Sequence, residues 1–252
     1  MGKVGSNQYP IYLYHHLGLG DHIIMSGLVR FLYEQCNPML LFCYEHNYKN
    51  IVRLYQDLEH LTVKGFVSDM AIESFIVNHQ ARCMNLCLTK KDNWLMNVWD
   101  KIPFFQSPTF DVVMYRKANV PHTARWDQFY YQRDNQKEEA VFQSVIKKVS
   151  PKYIFLHDDP SRQDCIDRTR IASSLPIYQP DHRLGETSNW TLFDYAKVIE
   201  QAEEIHVMDS AFACFAEHLD LSGVKRCVIH RYIRGNKSKI PEFRNKEWTI
   251  LL

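Results

Sequence analysis

Short runs of consecutive apolar residues alternate along the chain with stretches in which apolar side chains return every three or four positions. "PIYLYH" at 10–15 is β-prone, and after a glycine loop Ile23, Ile24, Gly27, Leu28, Phe31 and Leu32 fall on one helical face. "MLLFCY" at 39–44 is a continuous apolar run of the kind found in strands covered on both faces. The rhythm continues with a helix at 47–58, a strand at 61–66, a helix at 69–79, and strands at 83–88 and 110–115. A polar, helical stretch follows in "RWDQFYYQRDNQKEEAVFQSVIKKVSP", and it predicts the connection between two domains. The pattern then restarts: strands at 152–157, 175–180, 204–208 and 225–230, with helices at 191–202 and 209–219. Strands alternating with helices predict parallel sheets wrapped by helices. The expectation is therefore α/β, with two small doubly wound domains, 1–135 and 136–252.

Composition narrows the function classes. The chain has 252 residues, 46% hydrophobic and 23% charged, with a net charge of +1. No broad electrostatic field recruits nucleic acid or anionic lipid, so any basic site must be local. No stretch approaches the length of a membrane span, and "MGKVGSNQYP" lacks the apolar core of a secretory signal, which predicts a cytoplasmic protein. Gly2 and Ser6 fit the loose myristoylation pattern, as chance matches do. The seven cysteines are odd in number, have no C-x-x-C spacing and sit mostly in apolar runs, as buried free thiols do. No second ligand pair joins His79, Cys83 and Cys87 at zinc spacing, so no metal is expected.

Ligands of such sheets sit beyond the C-terminal ends of strands. Three loops there carry chemistry. In the first, Gly18 and Gly20 lead into a helix expected to start near Asp21, bringing backbone N–H groups to one point. Asp21 can be the helix cap or a catalytic carboxylate. His15 and His16 are adjacent, so one belongs in the core and the other, assigned to His16, faces the ligand. The second loop, "FLHDDPSRQDCIDRTRI", offers His157, Asp158, Arg162 and Arg168, where guanidinium forks suit phosphate and carboxylates suit sugar hydroxyls. Its arginines can equally neutralise its own aspartates. In the third, Asp209 and Ser210 open a helix whose first residues, Ala211 and Phe212, follow a strand.

Two of these stretches look like a known family. "LGLGDHIIMSGLVRFL" resembles the first loop and helix of the bacterial lipopolysaccharide heptosyltransferases, where a Gly-Asp pair opens the helix. "VMDSAFACFAEHL" resembles their late motif and the corresponding stretch of several GT-B fucosyltransferases, although Ala211 stands where the family has glycine. The resemblance implies the GT-B architecture, two Rossmann-like domains facing a cleft, here in a compact version. It implies a sugar transferred from a nucleotide-diphosphate sugar to a hydroxyl of a glycan acceptor. Asp21, with His16, would be catalytic, and Gly18, Gly20, His157, Asp158, Arg162, Arg168, Asp209, Ser210, Ala211 and Phe212 would hold the donor. The expected transfer inverts, with Asp21 as base; no D-x-D motif occurs, so the leaving group is expected to be neutralised by the protein rather than by a metal, with no cofactor. A sugar-nucleotide epimerase or hydrolase, and a non-catalytic nucleotide- or glycan-binding module, are the rival readings. "RYIRGNKSKIPEFRNKEW" reads as a basic surface loop, and Trp94, Trp99, Trp126 and Tyr130 are aromatic platforms that suit a sugar face.

Overall fold

The computed structural model describes residues 10–79, 83–87, 109–181, 189–234 and 243–252. Gly2, Ser6, Trp94 and Trp99 lie outside them. The chain divides into two compact units, 1–131 and 132–252, a few residues short of the boundary read at 135.

In the first unit, strands β1 (Ile11–Tyr14), β2 (Met39–Tyr44), β3 (Leu61–Phe66) and β4 (Cys83–Asn85) form a parallel sheet of order β3-β2-β1-β4. That is the start of the Rossmann order, which reverses between β1 and β4. Met39, Leu41, Phe42 and Cys43 are buried, as the unbroken apolar run of β2 requires. Helices α1 (Leu19–Ile24) and α2 (Ser26–Tyr33) follow β1, α3 (Tyr48–Leu54) follows β2, and α4 (Asp69–Asn78) follows β3. Ser68 caps α4 by accepting from the Ala71 N–H at 3.3 Å.

The strand expected at 110–115 is a helix, α5 (Phe110–Lys117). Its Val, Tyr and Phe favour strands, but Asp111, Met114 and Tyr115 are buried together, at helical spacing. Tyr115 also explains why α1 and α2 are separate. Its hydroxyl donates to the Ile24 carbonyl at 2.9 Å and accepts from the Leu28 N–H at 3.1 Å. Those two groups would otherwise bond each other in a continuous helix, and an inserted side chain breaks the ladder. Gly27, in α2, lies so close to the Ala124 carbonyl at the start of helix α6 (Ala124–Asp127) that a Cβ there would collide with backbone. Arg125 of α6 is buried on Asp111, 2.6 Å from its carboxylate, and His122 approaches the same oxygen at 2.8 Å.

The second unit opens with helix α7 (Asn135–Ile146), capped by Asp134 on the Lys137 N–H. Strands β5 (Ile154–His157), β6 (Ile177–Tyr178), β7 (Glu204–Val207), β8 (Arg226–His230) and β9 (Thr249–Leu251) form a parallel sheet of order β6-β5-β7-β8-β9. This is the other common doubly wound order, and it reverses between β5 and β7. Helices α8 (Ala196–Glu200) and α9 (Ala211–Ala216) accompany it. Residues 191–195, read as helix, begin as a 3₁₀ turn, opened by a capping box in which the Thr191 N–H donates to Asp194 at 2.7 Å. Strand β9 was not foreseen, since its three residues end a segment dominated by charge. Within that segment, Asn245 donates to the carbonyls of Ala216 and Leu219, and Lys246 to those of Leu221 and Val224. These side chains close the C-terminal end of α9 and its following turn, rather than extending into solvent.

Candidate functional site

The order of each sheet selects one edge position, and the sequence-derived residues fall at both. In the first unit that position follows β1. The helix starts at Leu19, with Gly18 as its N-terminal flanking residue, so Asp21 is not the cap and Gly20 lies inside the helix. Asp21 occupies the third helical position and folds back over Gly18, its Oδ2 2.6 Å from where a Cβ on residue 18 would stand. Gly18 is thus the residue that leaves room for this carboxylate. His16 is partly exposed, its ring edge-on to Phe110 at 6.4 Å. His15 is fully buried, its Nδ1 2.6 Å from the His16 carbonyl, and its ring meets that of buried His22 at 4.5 Å. Burial pushes His15 down to about 4 and His22 well below the usual imidazole range, so both are neutral at pH 7.

At the neighbouring end of β4, Lys117 donates to the Cys87 carbonyl at 2.8 Å. The Tyr14 and Tyr44 hydroxyls converge on Asp69, at 3.0 and 3.2 Å. Burial raises the Cys87 thiol to about 11, which leaves it protonated. Among the described residues, no three His, Cys, Asp or Glu side chains converge as metal ligands.

In the second unit the reversal brings the loops after β5 and β7 together. His157, at the end of β5, places Nδ1 3.1 Å from the Ser210 hydroxyl, and its ring lies 4.6 Å from that of Phe212. Asp209, Ser210 and Ala211 are partly exposed beside them, while Phe212 is buried against Phe155 and Tyr195. Asp158 faces inward instead. Its carboxylate accepts from the Ile166 N–H at 2.8 Å, from Gln179 at 2.5 Å and from Arg168 at 3.2 Å, and so ties down its own loop. Arg168 is further held by the Gln179 amide oxygen at 2.8 Å. Arg162 pairs with Asp159 at 3.3 Å, but its side chain is 70% exposed, and such a pair contributes at most about 1 kcal/mol. The loop's own ion pairing is therefore real for both arginines, and only Arg162 exchanges it cheaply for an anion.

A buried chain under this loop had no counterpart in the sequence reading. Glu204 Oε2 lies 3.2 Å from His206 Nε2, His206 Nδ1 lies 2.9 Å from His230 Nε2, and His230 Nδ1 lies 3.3 Å from the Tyr232 hydroxyl. That hydroxyl accepts the Asp167 N–H at 2.9 Å. One assignment of hydrogens satisfies every link: Tyr232 donates to His230, His230 to His206, and His206 to the carboxylate. Burial holds His230 down near 4 and lowers His206 as well, with Arg168, Arg170 and Arg226 adding to the effect on His230. The only sequence signal was a histidine inside each of two apolar strand runs.

No protein-family model matches the sequence, and no curated protein matches it. Among solved structures, the glycosyl transferase family 9 protein from Veillonella parvula DSM 2008 matches with a TM-score of 0.56, over 99% of this chain and 88% of that one, at 8% identity. The chain is similar in fold to a family 9 glycosyl transferase. At this identity the likeness is one of fold alone. No helix among the described residues is long and apolar enough to cross a membrane.

Proposed function

We propose that the protein transfers a sugar from a nucleotide-diphosphate sugar to a hydroxyl of a glycan acceptor. The observation that carries this reading is the likeness in fold to a family 9 glycosyl transferase over 99% of the chain; the Gly18–Asp21 turn and the His157–Ser210 pair support it through their own geometry. In the proposed reaction, the acceptor oxygen attacks the anomeric carbon from the face opposite the leaving group. Asp21 takes the hydroxyl proton, His16 lies beside the attacking group, and the bond from the anomeric carbon to the diphosphate oxygen breaks with inversion. His157, Ser210 and the neighbouring backbone N–H of Ala211 supply hydrogen bonds to the departing diphosphate, and Arg162 leaves Asp159 to neutralise it. Charge is met by these side chains and not by a metal. Asp158 and Arg168 hold the loop that carries Arg162.

The test pairs binding with turnover. Thermal-shift measurements across ADP-, GDP-, UDP- and dTDP-sugars should show stabilisation by one nucleotide class, lost in His157→Ala or Ser210→Ala. With that donor, Asp21→Ala should remove turnover while leaving nucleotide affinity nearly unchanged, and EDTA should have no effect. Activity of Asp21→Ala above about a tenth of the parent rate, less than 1.4 kcal/mol of barrier, would remove the base from the reading. A sugar altered without any acceptor would indicate an epimerase, and tight nucleotide binding without turnover a binding module.

A further inference from the structure

The first unit has a concavity of about 320 Å3 lined by Arg30, Tyr33, Glu34, Leu58, Asp127, Gln128, Phe129 and Tyr130. Helix α2 leaves the C-terminal edge of the sheet after β1 and returns the chain to the start of β2, and Leu58 shortly precedes β3. The concavity therefore sits at the N-terminal end of the strands, opposite Gly18 and Asp21.

Its lining discriminates among ligands. Arg30 is held by three hydrogen bonds, to Asp57 through two nitrogens at 2.7 and 2.9 Å and to the Leu54 carbonyl at 3.0 Å, while its buried Nε makes none. Its guanidinium also lies over the Tyr130 ring, 5.1 Å from the centroid. The Arg30 charge is thus already met by Asp57, and Glu34 and Asp127 repel a phosphate. A second cation is disfavoured too, because the guanidinium already draws on the π density of Tyr130 and repels positive charge. An alkyl chain would leave two carboxylates and the Gln128 amide without hydrogen bonds. What remains is a neutral ring that presents C–H groups on one face and hydroxyl donors at its edge. The rings of Tyr33, Phe129 and Tyr130 offer the surface for the first, and Tyr130 is 52% exposed. Glu34, Asp127 and Gln128 accept from the second, and the volume suits one or two sugar units.

We infer that this concavity is a saccharide-binding subsite, taking a neutral pyranose of an oligosaccharide at the end of the first unit remote from Asp21. It is reached from the lining chemistry alone and does not require the protein to be a transferase.

The experiment is saturation-transfer NMR on the full-length protein with lactose, maltose, cellobiose and N,N′-diacetylchitobiose, and with spermidine as a contrasting probe, alongside 31P line broadening of inorganic phosphate. At least one disaccharide should receive saturation at its ring C–H protons. Tyr130→Ala should weaken that binding by about tenfold or more, the loss of one ring contact. Asp127→Ala should weaken it as well, with an unchanged melting temperature showing that both variants fold. Asp21→Ala should bind the sugar as the parent does, which separates this subsite from the fate of the transfer reaction. Absence of transfer to all four sugars, transfer that persists in Tyr130→Ala, or a response to spermidine or phosphate instead would overturn the assignment.

Discussion

Asp111 shows how much can rest on one carboxylate. It is fully buried, receives Arg125 and approaches His122. Burial alone would raise its pKa, but the His122 hydrogen bond and the Arg125 charge outweigh that and hold it well below the usual carboxylate range. Asp111→Ala leaves Arg125, itself fully buried, without its counter-charge, and should cost about 3–5 kcal/mol in urea unfolding. A loss below about 1 kcal/mol would show that the guanidinium finds water. The same contrast explains which site residues were legible from sequence. Asp21, His157 and Ser210 lie at or shortly after the C-terminal ends of strands, so their edge positions could be read. The Arg168–Asp158 pairing was legible as the loop neutralising its own charges, but the further ties to the Ile166 N–H and Gln179 were not, because only the folded loop and β6 bring those groups in.

Among the elements, most of the sheet was legible because a parallel strand covered on both faces is mostly apolar, as β2 is throughout and β5, β7 and β8 are apart from His157, Glu204, His206, Arg226 and His230. Helix α5 was misread because its strand-forming residues say nothing of the α1–α2 junction they pack against. Tyr115→Phe tests that packing. It keeps the ring and removes the hydroxyl, so the Ile24 carbonyl and the Leu28 N–H must either close into one straight helix or stay buried without partners. The expected loss is about 1–3 kcal/mol. Accelerated hydrogen exchange at the Leu28 amide should accompany it, and unchanged protection there would show that the ladder had closed.

At the scale of the whole molecule, buried neutral imidazoles lie in both units: His15 and His22 in the first, His206 and His230 in the second. Each has a folded pKa below its unfolded value of about 6.5, so below that pH the unfolded chain binds more protons than the folded one. Their contribution is complete above about pH 6.5 and is lost as pH falls towards about 4, where His15 and His230 titrate in the folded state. His15 and His230 each add at most about 1.4 kcal/mol per pH unit to the slope, and His22 and His206 act in the same direction. The urea midpoint should therefore fall steadily from pH 6.5 to 4.5, and a flat profile over that range would mean that the rings are already hydrated. The division into two α/β units was legible because each repeats the same strand and helix rhythm.

The phenol that bends the first helix also orders events in time. Its partners are 87 and 91 residues earlier in the chain. During synthesis the junction between the first two helices must wait for its partner until most of the first unit has left the ribosome. Long-range closure of this kind slows folding. A nascent fragment released before residue 109 therefore lacks the phenol that separates its two opening helical segments, however helical its sequence.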